Sequence, residues 1–246
     1  MGFGGLSLYA TNRARTATSA GTDPTTLSLT GYWRGSYSGS PWNGTASAGA
    51  SSGRNLVTLV GAPSTGTALN GYTPASFNGT SQALQDNTNT IDNYISSTAY
   101  TVQLLLKPSS AVATTGTVYS DPQLVCESGQ NWGIAYTTDG ITLYHWDGTS
   151  LKTVNVALGT GSWAVVDAKY DGTNIKVRVN GGAWSSTAAN SLTGFTGNTM
   201  YMGVDAALDA FYAGLIEECL VSDTALSDAT LDGTRAWFDS RYGLSL

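Results

Sequence analysis

Between residues 132 and 182 the chain repeats one pattern: a short run of alternating apolar and polar residues, then a turn written as Asp-Gly or Asn-Gly. Asp139-Gly140 separates 132–137 from 141–146, Asp147-Gly148 leads into 151–156, Asp171-Gly172 joins 163–170 to 174–179, and Asn180-Gly181-Gly182 closes the following hairpin. Glycine and, after it, asparagine and aspartate accept the positive φ that tight hairpin turns demand, so each pair marks a reversal between antiparallel strands. Within 174–179, Ile175, Val177 and Val179 alternate with Lys176 and Arg178, which predicts one buried face and one wet face. The same reading places further strands at 27–35, 56–60, 74–77, 100–107, 123–127, 200–203 and 213–221. A single helix is expected from Ser227 to about residue 242. Ser227 caps its first turn, Asp228 complements its dipole, Leu231, Thr234 and Phe238 form one stripe, and Gly243 ends it. The fold class is all-β, an antiparallel sandwich with one short C-terminal helix.

At 246 residues the chain is long enough for one large sandwich that needs no metal or disulfide to stabilise it. Residues 1–26 read as an extended N-terminal arm: they are rich in small residues, and their apolar character is confined to Phe3, Leu6, Leu8 and Tyr9, with Arg13 and Arg15 as the charges. Residues 27–246 are read as the folded domain. A net charge of -6 repels phosphate backbones, so nucleic acid is not an expected partner. The sequence contains neither a signal-peptide h-region nor a membrane span, so neither secretion by a leader nor membrane anchorage is expected. Cys126 and Cys219 lie far apart in apolar runs and match no zinc spacing; buried free thiols are the simpler reading and a disulfide is the alternative.

Several segments resemble the laminin-G-like, concanavalin-A-like jelly rolls. FNGTSQALQ at 77–85 is similar to that family's Phe-Asn-Gly strand entry, and YTVQLLLKP at 100–108 to its aromatic-led central strand. DGTNIKVRVNGGAW at 171–184 is similar to its hairpin, and GLIEECLVSDTALSDATL at 214–231 to its closing strand followed by a short helix. The resemblance implies a jelly-roll topology, a surface-binding or sugar-binding role, and calcium as a frequent accessory. Calcium therefore stays an open alternative to having no cofactor, with Asp147, Asp171, Asp205 and Asp209 as turn-located oxygen donors and no EF-hand-like spacing among them. The arm, the stretch 31–56 and the ending AWFDSRYGLSL at 236–246 also resemble proteins encoded in bacteriophage genomes. That likeness implies a virion surface protein, a capsid decoration or fibre component, made in the host cytoplasm. Its expected partners are a capsid or other virion protein bound through the arm, a sister subunit in a homo-oligomer, and a cell-surface glycan.

The chemistry available for catalysis is sparse. The chain has three glutamates; Glu127 is alone, and Glu217 and Glu218 are adjacent, so a regular strand would point them to opposite faces and deny them an acid and base partnership. His145 is the single histidine, and strand alternation faces it away from Tyr144 and Trp146. No nucleophile elbow or phosphate loop is present. The expectation is a protein that is not an enzyme. Seven Trp and thirteen Tyr remain as a resource for stacking on sugar rings. Tyr37 and Trp42 in a long loop, with Trp146 beside Asp147, are the glycan-binding candidates. A free lectin or adhesin module is the main alternative, and a polysaccharide-cleaving enzyme the remote one.

Overall fold

A computed structural model describes residues 21–45, 47, 54–110 and 117–246. In chain order the elements are β1 (Gly31–Arg34), β2 (Leu56–Thr58), β3 (Ser64–Thr65), β4 (Ala75–Asn78), β5 (Leu84–Thr90), β6 (Tyr100–Pro108), β7 (Gln123–Glu127), β8 (Trp132–Thr137), β9 (Gly140–Trp146), β10 (Leu151–Val156), β11 (Ala164–Tyr170), β12 (Asn174–Val179), β13 (Ser185–Ala188), β14 (Thr199–Met202), β15 (Ala213–Ser222) and α1 (Asp228–Tyr242). One sheet runs β13-β12-β11-β6-β15-β4-β3 with β1 also on β15, the other β10-β9-β8-β7-β14-β5-β2. Every strand pairing is antiparallel. The result is the jelly-roll sandwich expected. The hairpin turns fall where the sequence places them, with φ of 114° at Gly140, and 51° and 70° at Asn180 and Gly181.

The inner faces pack Leu104, Val166, Ile175 and Cys219 of the first sheet against Trp132, Leu143 and Met202 of the second. Three strands lie where alternation did not predict them: the two-residue β3, β5 and β13. β5, LQDNTNT, is mostly polar, yet it is paired on both sides by β2 and β14; its Asp86 is buried, accepts from the amides of Thr88 and Asn89 at 2.8 and 2.9 Å, and receives the Tyr94 hydroxyl. β13, SSTA, is an edge strand held by β12. Cys126 and Cys219 are both buried free thiols.

The outer face of the first sheet is covered by α1, whose buried residues are Leu231, Thr234, Phe238 and Tyr242. Ser227 Oγ accepts from Thr230 N at 3.1 Å, and Gly243 ends the helix at φ 67°. The helix overturns one expectation: Arg178, predicted on a wet face, is 4% exposed because α1 lies over it. Its Nε donates to Asp167 Oδ2 at 2.7 Å and its Nη2 to Asp232 Oδ1 at 2.9 Å. Gln103 Nε2 donates to the other oxygen of Asp167 at 2.7 Å and to Leu231 O at 3.1 Å, while Thr234 Oγ1 donates to Gln103 Oε1 at 2.5 Å. Sheet and helix are thus joined by a buried polar network whose members satisfy one another.

The expectation for Glu217 and Glu218 is also corrected. Register along the β15–β6 pair shifts between Ile216 and Glu218, so Glu217 is the extra residue of a β-bulge. Ile216 and Cys219 both face the inner core, which turns the two intervening carboxyls to the same outer face, beneath α1. Glu218 Oε1 accepts the Tyr242 hydroxyl, and no hydrogen bond reaches either oxygen of Glu217. Burial pushes both carboxyls up to about 8, against the pull of Arg241 on Glu217 and of the Tyr242 hydroxyl on Glu218.

Of the stretch read as an arm, residues 21–26 are described. The amide of Thr22 donates to Gly233 O at 2.9 Å, Gly21 lies against the helix backbone at Trp237 and Gly233, and Pro24 is buried. Residues 21–26 are therefore docked on α1, because small residues there let two backbones approach. Phe3, Leu6, Leu8, Tyr9, Arg13 and Arg15 lie outside the described residues.

Two outcomes are expected. Arg178→Met leaves Asp167 buried without its cation and lowers the unfolding free energy by about 3 kcal/mol. Lys176→Met, which breaks a 2.6 Å pair with Asp171 between half-exposed side chains, costs about 1 kcal/mol or less in the same denaturant titration. The second concerns pH. Because the folded chain retains protons on Glu217 and Glu218 that the unfolded chain releases near the ordinary carboxylate range, their contribution is complete at acid pH and is lost as pH rises to about 8. Burial holds the pKa of His145 down, a contribution of opposite sign that is lost as pH falls below the ordinary imidazole range. The comparison that isolates the glutamates is therefore the Glu217→Gln, Glu218→Gln double variant, whose Tm should lack the parent's decline between pH 5 and 8.5.

Candidate functional site

The turn 147–150, the turn 171–173 and the segment 188–191 meet around an open cleft of about 540 Å³. Asp147 follows β9 and is 5% exposed. Its Oδ1 accepts from the amides of Thr149 and Ser150 at 3.0 and 2.9 Å, closing its own turn. Oδ2 is held more loosely, 3.3 Å from Asn190 Nδ2 and 3.6 Å from Lys152 Nζ. The Ser150 amide foremost, with the Thr149 and Asn190 amides and Lys152, holds the carboxyl down to about 2, so it is ionised at any physiological pH. Across the cleft, Asp171 Oδ1 performs the same turn closure for Thr173 and Asn174, at 3.0 and 2.8 Å.

Beneath the cleft, His145 is fully buried. One ring nitrogen lies 2.9 Å from Asn190 O and the other 3.1 Å from the Tyr100 hydroxyl, and the ring packs edge-on to Tyr170 at 4.8 Å. His145 thereby fixes the segment after β13 that carries Asn190. The lining is polar: Asp147, Lys152, Thr173, Asn190 and Ser191 surround a floor that includes Tyr170. A fixed ionised acceptor, an ammonium, an amide and hydroxyls converging on one cleft can orient a polyhydroxylated ligand through directional hydrogen bonds. Asp147 is the single carboxyl in that lining.

Of the four sequence candidates for glycan contact, the structure brings only Asp147 into this cleft. Tyr37 and Trp42 are 1% and 3% exposed and pack edge to face at 5.7 Å, with the Tyr37 hydroxyl on Pro63 O and the Trp42 indole N–H on Arg34 O. Neither presents an open ring for stacking: they are packing residues of the long loop. Trp146 is half-buried and lies outside the lining. Lys152, Thr173 and Asn190 were missed. A signal for part of this existed, since Asp-Gly-Thr occurs at both 147–149 and 171–173 and forms the two opposing rims. Of the turn carboxylates weighed for calcium, Asp205 closes its own loop, accepting from the amides of Ala207, Asp209 and Ala210 at 3.1, 3.0 and 2.9 Å. Among the described residues no three His, Cys, Asp or Glu side chains are grouped as a metal site.

The fold and its cleft can be set beside known proteins. No curated protein sequence matches the chain. Solved structures do: the chain is similar to a botulinum neurotoxin type C structure, a toxin whose cell entry is described as dependent on interaction with two ganglioside molecules (12% identity, TM-score 0.61, 85% of this chain and 51% of that one). It is also similar to domain 4 of an extracellular arabinanase from Geobacillus stearothermophilus, solved in complex with arabinotriose (18% identity, TM-score 0.52, 85% of this chain and 98% of that one). The chain spans about half the length of the toxin structure. At these identities the likeness is one of fold. The family model described as concanavalin A-like lectin/glucanases superfamily matches residues 77–232, more than half of the sequence, and the chain belongs to that superfamily.

Proposed function

We propose that the chain is a non-enzymatic glycan-binding module that contacts sugar through the Asp147 cleft and is displayed on a virion surface by its N-terminal arm. The observation that carries the first half is the ionised Asp147 carboxylate, held by its own turn with one oxygen lightly engaged, beside Lys152 and Asn190 in an open polar cleft. The arabinotriose complex of one similar fold, and the dependence of botulinum neurotoxin type C on ganglioside interaction described for another, support the ligand class. Binding is favoured over hydrolysis because glycoside cleavage needs two carboxyls flanking the scissile bond, whereas Asp147 is the single carboxyl in the cleft lining, Asp171 across it is taken up by its own turn and by Lys176, and Glu217 and Glu218 are buried beneath α1. The second half is supported by the composition of residues 1–20 and the likeness to phage-encoded proteins. An arm that orders against a partner gains little per contact, so display on a repeating shell or in a symmetric oligomer would supply avidity.

Two measurements test these halves separately. Against a panel of neutral oligosaccharides that includes arabinotriose, Asp147→Asn should weaken binding about tenfold, equivalent to about 1.4 kcal/mol, with Tm retained because the turn keeps an acceptor. No reducing sugar should be released from polysaccharides. Undiminished binding in Asp147→Asn, or reducing-sugar release, overturns the reading of the cleft. For display, the Arg13→Glu, Arg15→Glu double variant and Leu8→Asp should each lower occupancy on purified particles, and full occupancy in both removes the arm from the mechanism.

A further inference from the structure

The described cations sort into two groups. Lys152, Lys169, Lys176, Arg178 and Arg235 each lie within ion-pair distance of an aspartate. Arg34, Arg54, Lys107 and Arg241 have no carboxylate at that distance among the described residues. Two of these four, Arg34 at the end of β1 and Arg241 in the last turn of α1, line one cavity of about 510 Å³. In a chain of net charge -6, two unpaired guanidinium groups in one cavity form a local reversal of sign.

The cavity is built to hold these groups in place. Arg241 lies over the Tyr72 ring at 3.8 Å and the Trp237 ring at 4.9 Å, and its Nε is 3.3 Å from the Tyr242 hydroxyl. Stacking fixes the guanidinium plane, and no described residue accepts from its Nη groups. The facing loop is held in a costly conformation: Ser36 has φ 82°, and the amides of Ser36 and Tyr37 both donate to Thr73 O, at 3.1 and 2.8 Å. That arrangement sets Ser36, Ser38 and Asn43, all exposed, along the rim. Behind Gly35, where any side chain would collide with Glu217, sits the one carboxyl near enough to compete for Arg241 from the protein side without a hydrogen bond of its own.

We propose that this cavity binds the anionic group, carboxylate or sulfate, of an acidic saccharide through Arg34 and Arg241, with Ser36, Ser38 and Asn43 engaging its hydroxyls. The saccharide part rests on the glycan-binding reading of the domain; the anion part rests on the two arginines. Guanidinium groups are suited to such oxyanions because their planar N–H pairs match two oxygens at once. Arg241 and Tyr242 from α1 face Glu217, Glu218 lies beside it on β15, and Tyr32 from β1, itself near Arg34, faces Glu218. With Glu217 and Glu218 held protonated at neutral pH by burial, neither cancels the arginines there. Above about pH 8 an ionised Glu217 would compete with the ligand for Arg241.

Calorimetry on the full chain tests this with trigalacturonate, sulfated galactotriose, neutral galactotriose and inorganic sulfate. At least one acidic trisaccharide should bind about tenfold or more tightly than the neutral one, and which of the two does so identifies the anion. Arg34→Gln and Arg241→Gln should each remove that advantage, and Lys107→Gln, which deletes an unpaired charge elsewhere, should not. Binding should weaken between pH 7 and 9, and Glu217→Gln should abolish the weakening. If Arg241→Gln does not fold, Arg34→Gln at the half-exposed rim decides alone. Equal affinity for acidic and neutral trisaccharides, retention of the preference in the arginine variants, or binding of inorganic sulfate with neither acidic trisaccharide overturns the proposal. Failure of the Asp147 cleft is read separately: the loss caused by Arg34→Gln should be the same size in an Asp147→Asn background, since the two sites share no residue.

Discussion

Strand β15 is buried almost end to end, so both rows of its backbone N–H and C=O groups need partners within the protein. One edge is satisfied by β6 along its length. The other is shared, with β4 taking Ala213–Ile216 and β1 taking 218–221. The handover falls at Glu217, the residue that also bulges from the ladder with β6 on the opposite edge. Much of the rest depends on this arrangement. The bulge turns two carboxyls to one face, α1 must then cover them, and the loop that follows β1 is brought against the last turn of α1, where the Arg34–Arg241 cavity forms.

The seam between sheet and helix holds buried polar groups in two different ways. At Gln103, Asp167, Arg178 and Thr234 each charge meets a partner, and the hydrogen bonds run continuously from β6 through β11 and β12 to the helix. A network of this kind contributes modest net stability but a single register for the helix, since breaking any member leaves another buried and unpaired. At Glu217 and Glu218 no cation among the described residues lies at ion-pair distance, and the cost of burying charge is avoided by keeping the proton. The second makes the seam depend on pH up to about 8.

The two polar cavities differ in origin. The Asp147 cleft is made by turns whose aspartates saturate their own backbone, so its rims are set locally and repeat one tripeptide. The Arg34–Arg241 cavity is made by segments about two hundred residues apart and exists only when α1 is docked. A sandwich with covered faces leaves its loop-built ends and seams as the places where ligands can be met, which is why fold alone says little about which ligand a member takes.

The sequence by itself determined the reversals at Asp139-Gly140, Asp171-Gly172 and Asn180-Gly181, the alternation of Ile175 and Val177, and the capped helix after Ser227. Each is decided by φ, side-chain period or a capping oxygen within a few residues. Asp147 was legible as a candidate for the same reason, since a turn aspartate announces itself locally. Only the tertiary structure decided that β5 is a strand despite LQDNTNT, because its partners β2 and β14 supply the hydrogen bonds its own pattern does not advertise. The same holds for Tyr37 and Trp42, whose rings look available in a loop and are closed by packing on each other. Arg178 is dry and Glu217 faces the same way as Glu218 because of α1 and the strand handover, and both depend on residues far along the chain. Local backbone chemistry acts over a turn or two, whereas burial, and with it the protonation of a carboxyl, is set by whichever surface arrives from elsewhere.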